Sequence, residues 1–281
     1  MISCPSNQKT GHRRTSPFSF VRGSLLFAFA SPKKRMWEIA ANLFAVAVTM
    51  VGLTRLGALA PLKDPDCVQN ALVRARRVAA LDCWLGLHPQ RSRWLLTVVC
   101  GLVYLTHLFY PGVYLAFLLL RDADAALQFV RLFLYANLVY FLIQLLYPVA
   151  PPWKGLPVTN SANQLYRERS RAAGLVRLDE VLHYPLAQSL YKNSHWEDGA
   201  MPSGHVLWTN LVLGHWLLTT WYIGPLVSAR FVNPATALLA AHSVLMLIGA
   251  IHFAHHYVID CVVALALAAA ALACIFVPLL S

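Results

Sequence analysis

Six stretches of the chain are strongly apolar and close to twenty residues long, at about 36–56, 94–120, 127–147, 203–224, 235–257 and 258–280. Runs of this length with almost no charge predict membrane-crossing helices. The fold class they predict is all-α, a polytopic membrane protein with a six-helix transmembrane bundle. The second stretch is long and contains Pro111-Gly112, so a kink or tilt is expected there. Residues 36–281 form the membrane domain in this reading, preceded by a basic tail at 1–35.

Polar positions divide the rest. Residues 57–93 mix Arg74, Arg76 and Arg77 with Leu, Val and Ala, which predicts a segment lying along the interface. Residues 148–202 are the longest polar loop. The tail 1–35 holds seven Lys/Arg and no acid, a composition shared by targeting segments and disordered basic tails. Its apolar core, Leu25–Ala30, is too short for a signal peptide. Alternating crossings place three points on one membrane face: Tyr147-Pro148, Ser203, and the junction near His256. The loop 148–202, His205, His256 and Asp260 therefore share that face, whichever face it is.

Composition agrees with this picture. Charged residues are 12% of the chain and mean hydropathy is +0.55, against about 25% charged residues in soluble domains. The net charge is +11. Because the basic residues sit between apolar spans, membrane lipids and their phosphates are the expected partners rather than nucleic acid. The six cysteines have no metal-ligand spacing. Cys100, Cys261 and Cys274 fall in spans as packing residues, and Cys67 and Cys83 are placed to pair only if their loop faces an oxidising compartment.

The candidate chemistry lies in the last third. From Gly199 to Ser281 there is one acid, Asp260, and one Lys/Arg, Arg230. An ionisable residue kept in an apolar helix is a functional-site hypothesis by default. Met201-Pro202-Ser203-Gly204-His205 opens the fourth span, and His255-His256-Tyr257-Val258-Ile259-Asp260 opens the sixth. Proline suits a first helical turn, and Ser203 and Gly204 would offer backbone N–H groups to an anion. A carboxylate bonded to one ring nitrogen of His256 would leave the other as nucleophile or base. The simplest chemistry is phosphoryl transfer: His256 attacks phosphorus, Asp260 orients it, and His205 serves as acid and then base. Lys154, Arg171 and Arg177 are the phosphate or headgroup candidates.

Other readings compete. His252-Phe253-Ala254-His255-His256 spells a histidine box, and His252, His256 and Asp260 would form a metal stripe on one helix. No second close cluster of histidines accompanies it, and no cofactor is expected. His107, His215 and His242 stand singly in spans and read as helix-contact residues. A binding or scaffold protein carrying a dead version of the site is the alternative outside enzymes.

Pro202-Ser203-Gly204-His205 and His256-x-x-x-Asp260 resemble the second and third motifs of the type 2 phosphatidic acid phosphatase superfamily. The resemblance implies a metal-independent six-helix core of the lipid phosphatase type, with His205 as acid/base, His256 as nucleophile and Asp260 as its partner. It further implies a lumenal or extracytoplasmic site. Two elements depart from the superfamily: there is no Arg-Pro pair for its first motif, and Gly249-Ala250 stands where Ser-Arg precedes its third. Ala150-Pro151-Pro152-Trp153, Ala173-Gly174-Leu175-Val176-Arg177-Leu178-Asp179 and His255-His256-Tyr257 resemble the inositol phosphorylceramide synthase branch. That branch moves phosphoinositol from phosphatidylinositol to a ceramide hydroxyl. It commonly carries Ser-Leu-His where this chain has Ser203-Gly204-His205, and a glycine where Ala264 stands. The expected function is phospho-headgroup transfer to a ceramide-like alcohol, with lipid phosphate hydrolysis as the alternative.

Overall fold

The computed structural model describes residues 36–45, 47–48, 51, 73–74, 77, 94–155, 172–191, 199–223 and 229–276. The tail 1–35, Cys67, Cys83, Arg171 and most of the interfacial segment 57–93 lie outside the described residues. The elements used below are α1 (Trp94–Leu105), α2 (Tyr110–Arg121), α3 (Ala123–Leu146), α4 (Val176–Leu182), α5 (Leu186–Tyr191), α6 (Gly204–Ile223), α7 (Ala229–His252) and α8 (Val258–Phe276). No strand forms among the described residues; Val149 and Gly199 make a single parallel bridge.

Among the described residues three helices are long and apolar enough to cross a membrane, Ala123–Leu146, Pro234–His252 and Val258–Phe276. A fourth candidate is the bent pair α1–α2. α3, with 24 residues, is about 36 Å long at 1.5 Å per residue, enough to exceed a hydrocarbon core of about 30 Å. The count of six spans therefore stands as an expectation. α6 has the length, 20 residues, but carries His205, Thr209, Asn210 and His215.

The second predicted span is broken rather than kinked at Pro111-Gly112. α1 passes into a 3-10 turn, Thr106–Leu108, and α2 leaves it at 61°. The break precedes Pro111, which takes a place in the first turn of α2. There its missing N–H costs no helical bond and its fixed φ fits the new helix. A sharp reversal follows at Asp122. Its Oδ1 accepts the N–H groups of Asp124 and Ala125 at 2.9 and 3.1 Å, capping α3.

α6 is the central element, packing against α2, α3, α7 and α8. Val206, Leu207, Leu211 and Val212 on it are fully buried. Cys100 and Cys261 are buried as expected of packing residues, whereas Cys274 is exposed near the end of α8. His215 and His242 behave as helix contacts. Tyr114 Oη and His215 Nδ1 are hydrogen-bonded at 2.9 Å, and His242 Nε2 donates to Thr106 Oγ1 at 2.8 Å. The hydroxyl of Thr106 is itself spent on Val103 O, so it accepts from the ring.

The loop 148–202, in its described parts, packs against the bundle. Its segment 172–175 docks on the α7–α8 turn, with Gly174 N–H donating to Phe253 O at 2.9 Å. A Cβ at Gly174 would stand 2.7 Å from Phe253 O and 2.8 Å from its Cα. Only glycine allows this backbone-on-backbone approach. Gly174→Ala is expected to lower the unfolding temperature, with a loss of about 1–3 kcal/mol from the forced shift, and to reduce turnover with it. Thermal unfolding of the purified variant in detergent checks this; an unchanged midpoint would contradict the docking.

Candidate active site

The site forms where α7 ends and α8 begins. Phe253 N–H still closes a helical bond to Gly249 O at 2.9 Å. Ala254 then adopts the left-handed region, φ 54°, at a cost of about 1–2 kcal/mol for a residue with a Cβ. The reversal sends the amides of His255 and His256 back to a shared acceptor, Ala250 O, at 3.2 and 3.1 Å. The 148–202 loop supplies the outside grip. Trp153 N–H reaches Ala254 O at 3.3 Å, and His255 Nε2–H donates to Ala172 O at 2.9 Å. A strained turn of this kind persists where surrounding structure over-determines it, which is common at functional sites.

The protonation pattern of His256 follows from its contacts. Its Nδ1 lies 2.7 Å from Ala200 O. A carbonyl oxygen only accepts, so Nδ1 carries the proton and Nε2 holds the lone pair. That Nε2 is 3.0 Å from His205 Nδ1, which must then be the N–H donor. Burial holds the His256 imidazole down to about 3 and the His255 imidazole down to about 4. Both are thus neutral at physiological pH, against an ordinary value near 6.5.

Asp260 is placed differently from expectation. His256 sits in the turn and not on the helix, so the i, i+4 relation does not bring ring and carboxylate into a hydrogen bond. His256 Nδ1 and Asp260 Oδ2 are 3.9 Å apart. Oδ2 instead accepts Tyr257 N–H at 2.7 Å. That is half of a capping box, in which the third helical residue reaches back to the cap amide of α8. Asp260 is fully buried, so its carboxyl group is held in a fixed place beside the ring.

Ser203 caps α6. Its Oγ accepts Val206 N–H at 3.4 Å, and its own N–H donates to Asp260 O at 3.1 Å. That bond ties the two motifs together, and it leaves the amides of Gly204 and His205 at the head of the helix. Pro202 stands before the cap rather than in the first turn, joined to Met201 by a cis peptide bond. Gly204 lies against Tyr140, whose Oη would be 2.9 Å from an added Cβ. Gln144 Nε2 donates to Tyr140 Oη at 2.8 Å and to Gly199 O at 2.7 Å, fixing the strand-like approach to Ala200.

His205 is enclosed by residues that the motifs alone do not name. Tyr104 stacks on it with centroids 4.1 Å apart, and His107 packs at 4.0 Å. His107 Nδ1 donates to Tyr104 O at 2.9 Å, so this residue belongs to the site wall and not merely to a helix contact. Tyr191 Oη is 3.4 Å from His205 Nε2. The i, i+3 spacing of Tyr104 and His107 was the available sequence signal; Tyr191 and the Ala200 carbonyl had none.

The structure thus brings Ser203, Gly204, His205, His256 and Asp260 together. His252 turns away, 3.1 Å from Thr97 Oγ1, so the stripe His252–His256–Asp260 does not form. Among the described residues no three His, Cys, Asp or Glu side chains are placed to hold a metal ion. Arg177 is half-buried at the start of α4, close enough to His252 to act on it. Lys154 lies in the helical turn Pro152–Gly155 with its side chain outside the described set, and Arg171 is outside it altogether. An arginine that the motifs did not single out, Arg74, donates to Pro148 O at 3.4 Å and lies over the Tyr147 ring at 4.4 Å.

Known proteins similar to this chain include two lipid synthases. The chain is 27% identical over 174 residues to the phosphoinositol dihydroceramide synthase of Bacteroides thetaiotaomicron, covering 58% of this chain and 50% of that protein. It is 37% identical over 101 residues to the inositol phosphorylceramide synthase of Candida albicans, covering 35% of this chain and 21% of that protein. The chain therefore spans half the length of the first relative and about a fifth of the second. No solved structure matches it. The family described as the PAP2 superfamily matches residues 70–274, which include the whole of the site, and the chain belongs to that superfamily of membrane helical bundles.

Proposed function

We propose that this protein transfers a phospho-headgroup, such as phosphoinositol, from a membrane phospholipid to a ceramide-like alcohol through a phosphohistidine at His256. The observation that carries the reading is the lone pair on His256 Nε2, aimed at the Nδ1–H of His205 3.0 Å away. In the first half-reaction the N–P bond forms as the P–O bond to diacylglycerol breaks. His205, entering as imidazolium, gives its Nδ1 proton to the departing oxygen. Ala200 O holds the Nδ1–H of the phosphorylated ring, and Asp260 at 3.9 Å offsets its positive charge. In the second half the acceptor hydroxyl attacks phosphorus, its proton passes to His205, and the N–P bond breaks. Phosphate oxygens face the amides that head α6, with Lys154, Arg171 and Arg177 as the basic candidates. The grip of the 148–202 loop on the site turn supports transfer, since a covered site admits less water.

Hydrolysis of a lipid phosphate is the second reading. It is favoured by one observation: Gly204, where the synthases commonly carry leucine, is backed by Tyr140 Oη 2.9 Å from an added Cβ. The test supplies labelled phosphatidylinositol with and without ceramide to the purified protein. Ceramide-dependent formation of a labelled sphingolipid is expected, and His256→Ala should abolish it. Rapid phosphate release from phosphatidic acid, with no labelled sphingolipid, would reject transfer in favour of hydrolysis.

The proposal also includes several crossings, with the site on the lumenal or extracytoplasmic side. Asp124 and Glu180 are both exposed, the first at the start of α3 and the second on α4 beyond its other end. Single cysteines at these positions, in a protein otherwise free of cysteine, should be labelled from opposite faces of sealed vesicles. Labelling of both from one face would break the arrangement.

A further inference from the structure

The loop that grips the site turn also ends inside the site. α5 closes with Tyr191, whose ring meets His255 edge-on at 5.4 Å and whose Oη lies 3.4 Å from His205 Nε2. The proton order along this row follows from its far end. Ala200 O obliges His256 Nδ1 to donate, so His256 Nε2 accepts, and His205 Nδ1 must donate to it. A neutral His205 then has a bare Nε2, and among the described residues the hydrogen-bond partner of that atom is Tyr191 Oη. Burial pushes the Tyr191 hydroxyl above its ordinary range, so it keeps its proton and serves as a donor. The carbonyl at one end of the row imposes this order, and the hydroxyl at the other end accommodates it.

We propose that Tyr191 is the positioning residue of His205, holding its Nδ1–H toward the phosphorus-bearing nitrogen of His256; this rests on the phosphotransfer reading above. A hydroxyl both donates and accepts. It donates to Nε2 of the resting neutral ring, and it accepts from Nε2–H both in the imidazolium that protonates the leaving oxygen and in the neutral ring left once the Nδ1 proton has gone. One side chain therefore supports both protonation states of the cycle without itself changing charge. Phenylalanine can do neither. Because Tyr191 arrives on the same loop whose residues 172–174 pin the α7–α8 turn, a correctly seated loop and a correctly oriented His205 are one condition.

The test has two parts. In protein labelled with nitrogen-15 at histidine, the His205 resonances are identified by their loss in His205→Gln. Their shifts should report a protonated Nδ1 and an unprotonated, hydrogen-bonded Nε2. In Tyr191→Phe the Nε2 resonance should move toward the value of an unbonded ring nitrogen. In the headgroup-transfer assay Tyr191→Phe should lower kcat about tenfold with the KM for phospholipid unchanged, within the range of positioned proton-transfer groups. A His205 protonated at Nε2 in the unsubstituted protein overturns the proposal, whether or not the variant folds. So does a Tyr191→Phe protein whose His205 resonances and kcat are unchanged. The spectrum needs no turnover, so inactivity toward every lipid with the expected spectrum would count against the phosphotransfer reading and for the placement of Tyr191.

Discussion

The hydrogen bond from His256 Nδ1 to the Ala200 carbonyl is the contact on which the site depends. At 2.7 Å between two buried residues, it is well shielded from competing water. It decides which ring nitrogen holds the lone pair, and thereby which partner in the His205–His256 pair donates. Its acceptor is positioned by a chain of its own. Ala200 N–H bonds Val149 O at 2.9 Å, Gly199 O takes Gln144 Nε2–H at 2.7 Å, and Ser203 N–H bonds Asp260 O at 3.1 Å. The ends of α3, α6 and α8 are thus held in register by backbone and amide contacts around one imidazole. Backbone atoms are suited to this task because they have few ways to relax.

Asp260 has a structural duty beside the chemical one proposed for it. Its Oδ2 caps α8 through Tyr257 N–H and stays 3.9 Å from the His256 ring. A carboxylate at that distance acts as a charge rather than as a hydrogen-bond partner, and at full burial a charge is little screened. In the proposed mechanism an ionised carboxylate there would do least while the ring is neutral and most once phosphorylation made the ring cationic. The departures from the superfamily's basic positions also have a packing counterpart. Gly249 lies against Tyr104, with 3.2 Å from an added Cβ to Cδ2, and Ala250 is fully buried. The Tyr104 ring, stacked on His205, occupies the neighbourhood of that replacement.

Much of this is legible in the amino-acid sequence. Hydrophobic runs located α3, α6, α7 and α8, with ends off by up to about six residues, because lipid-facing helices leave a long uniform signal. Pro111 marked a disruption, but its position in the first turn of α2 put the break a few residues earlier than the proline itself. Pairing Ser203–His205 with His256–Asp260 followed from crossing parity, and the structure brings these residues together. The geometry within that cluster was not legible. An i, i+4 spacing implies a shared helix face only if the helix has begun, and at His256 it has not. Ala200 acts through its carbonyl, which no side-chain pattern reports. Tyr191 arrives by a loop whose docking depends on Gly174 meeting the Phe253 backbone, a contact 79 residues apart in sequence.

The central claim is that the phosphorus of a membrane phospholipid becomes bonded to His256 Nε2. Rapid alkaline quenching of the protein with phosphatidylinositol labelled on its phosphate, followed by peptide mapping by mass spectrometry, tests it directly. The account predicts an acid-labile phosphoinositol adduct on the peptide containing His256, chased by ceramide and absent from His256→Ala. Turnover with no adduct on that peptide, or an adduct on any other residue, would contradict it.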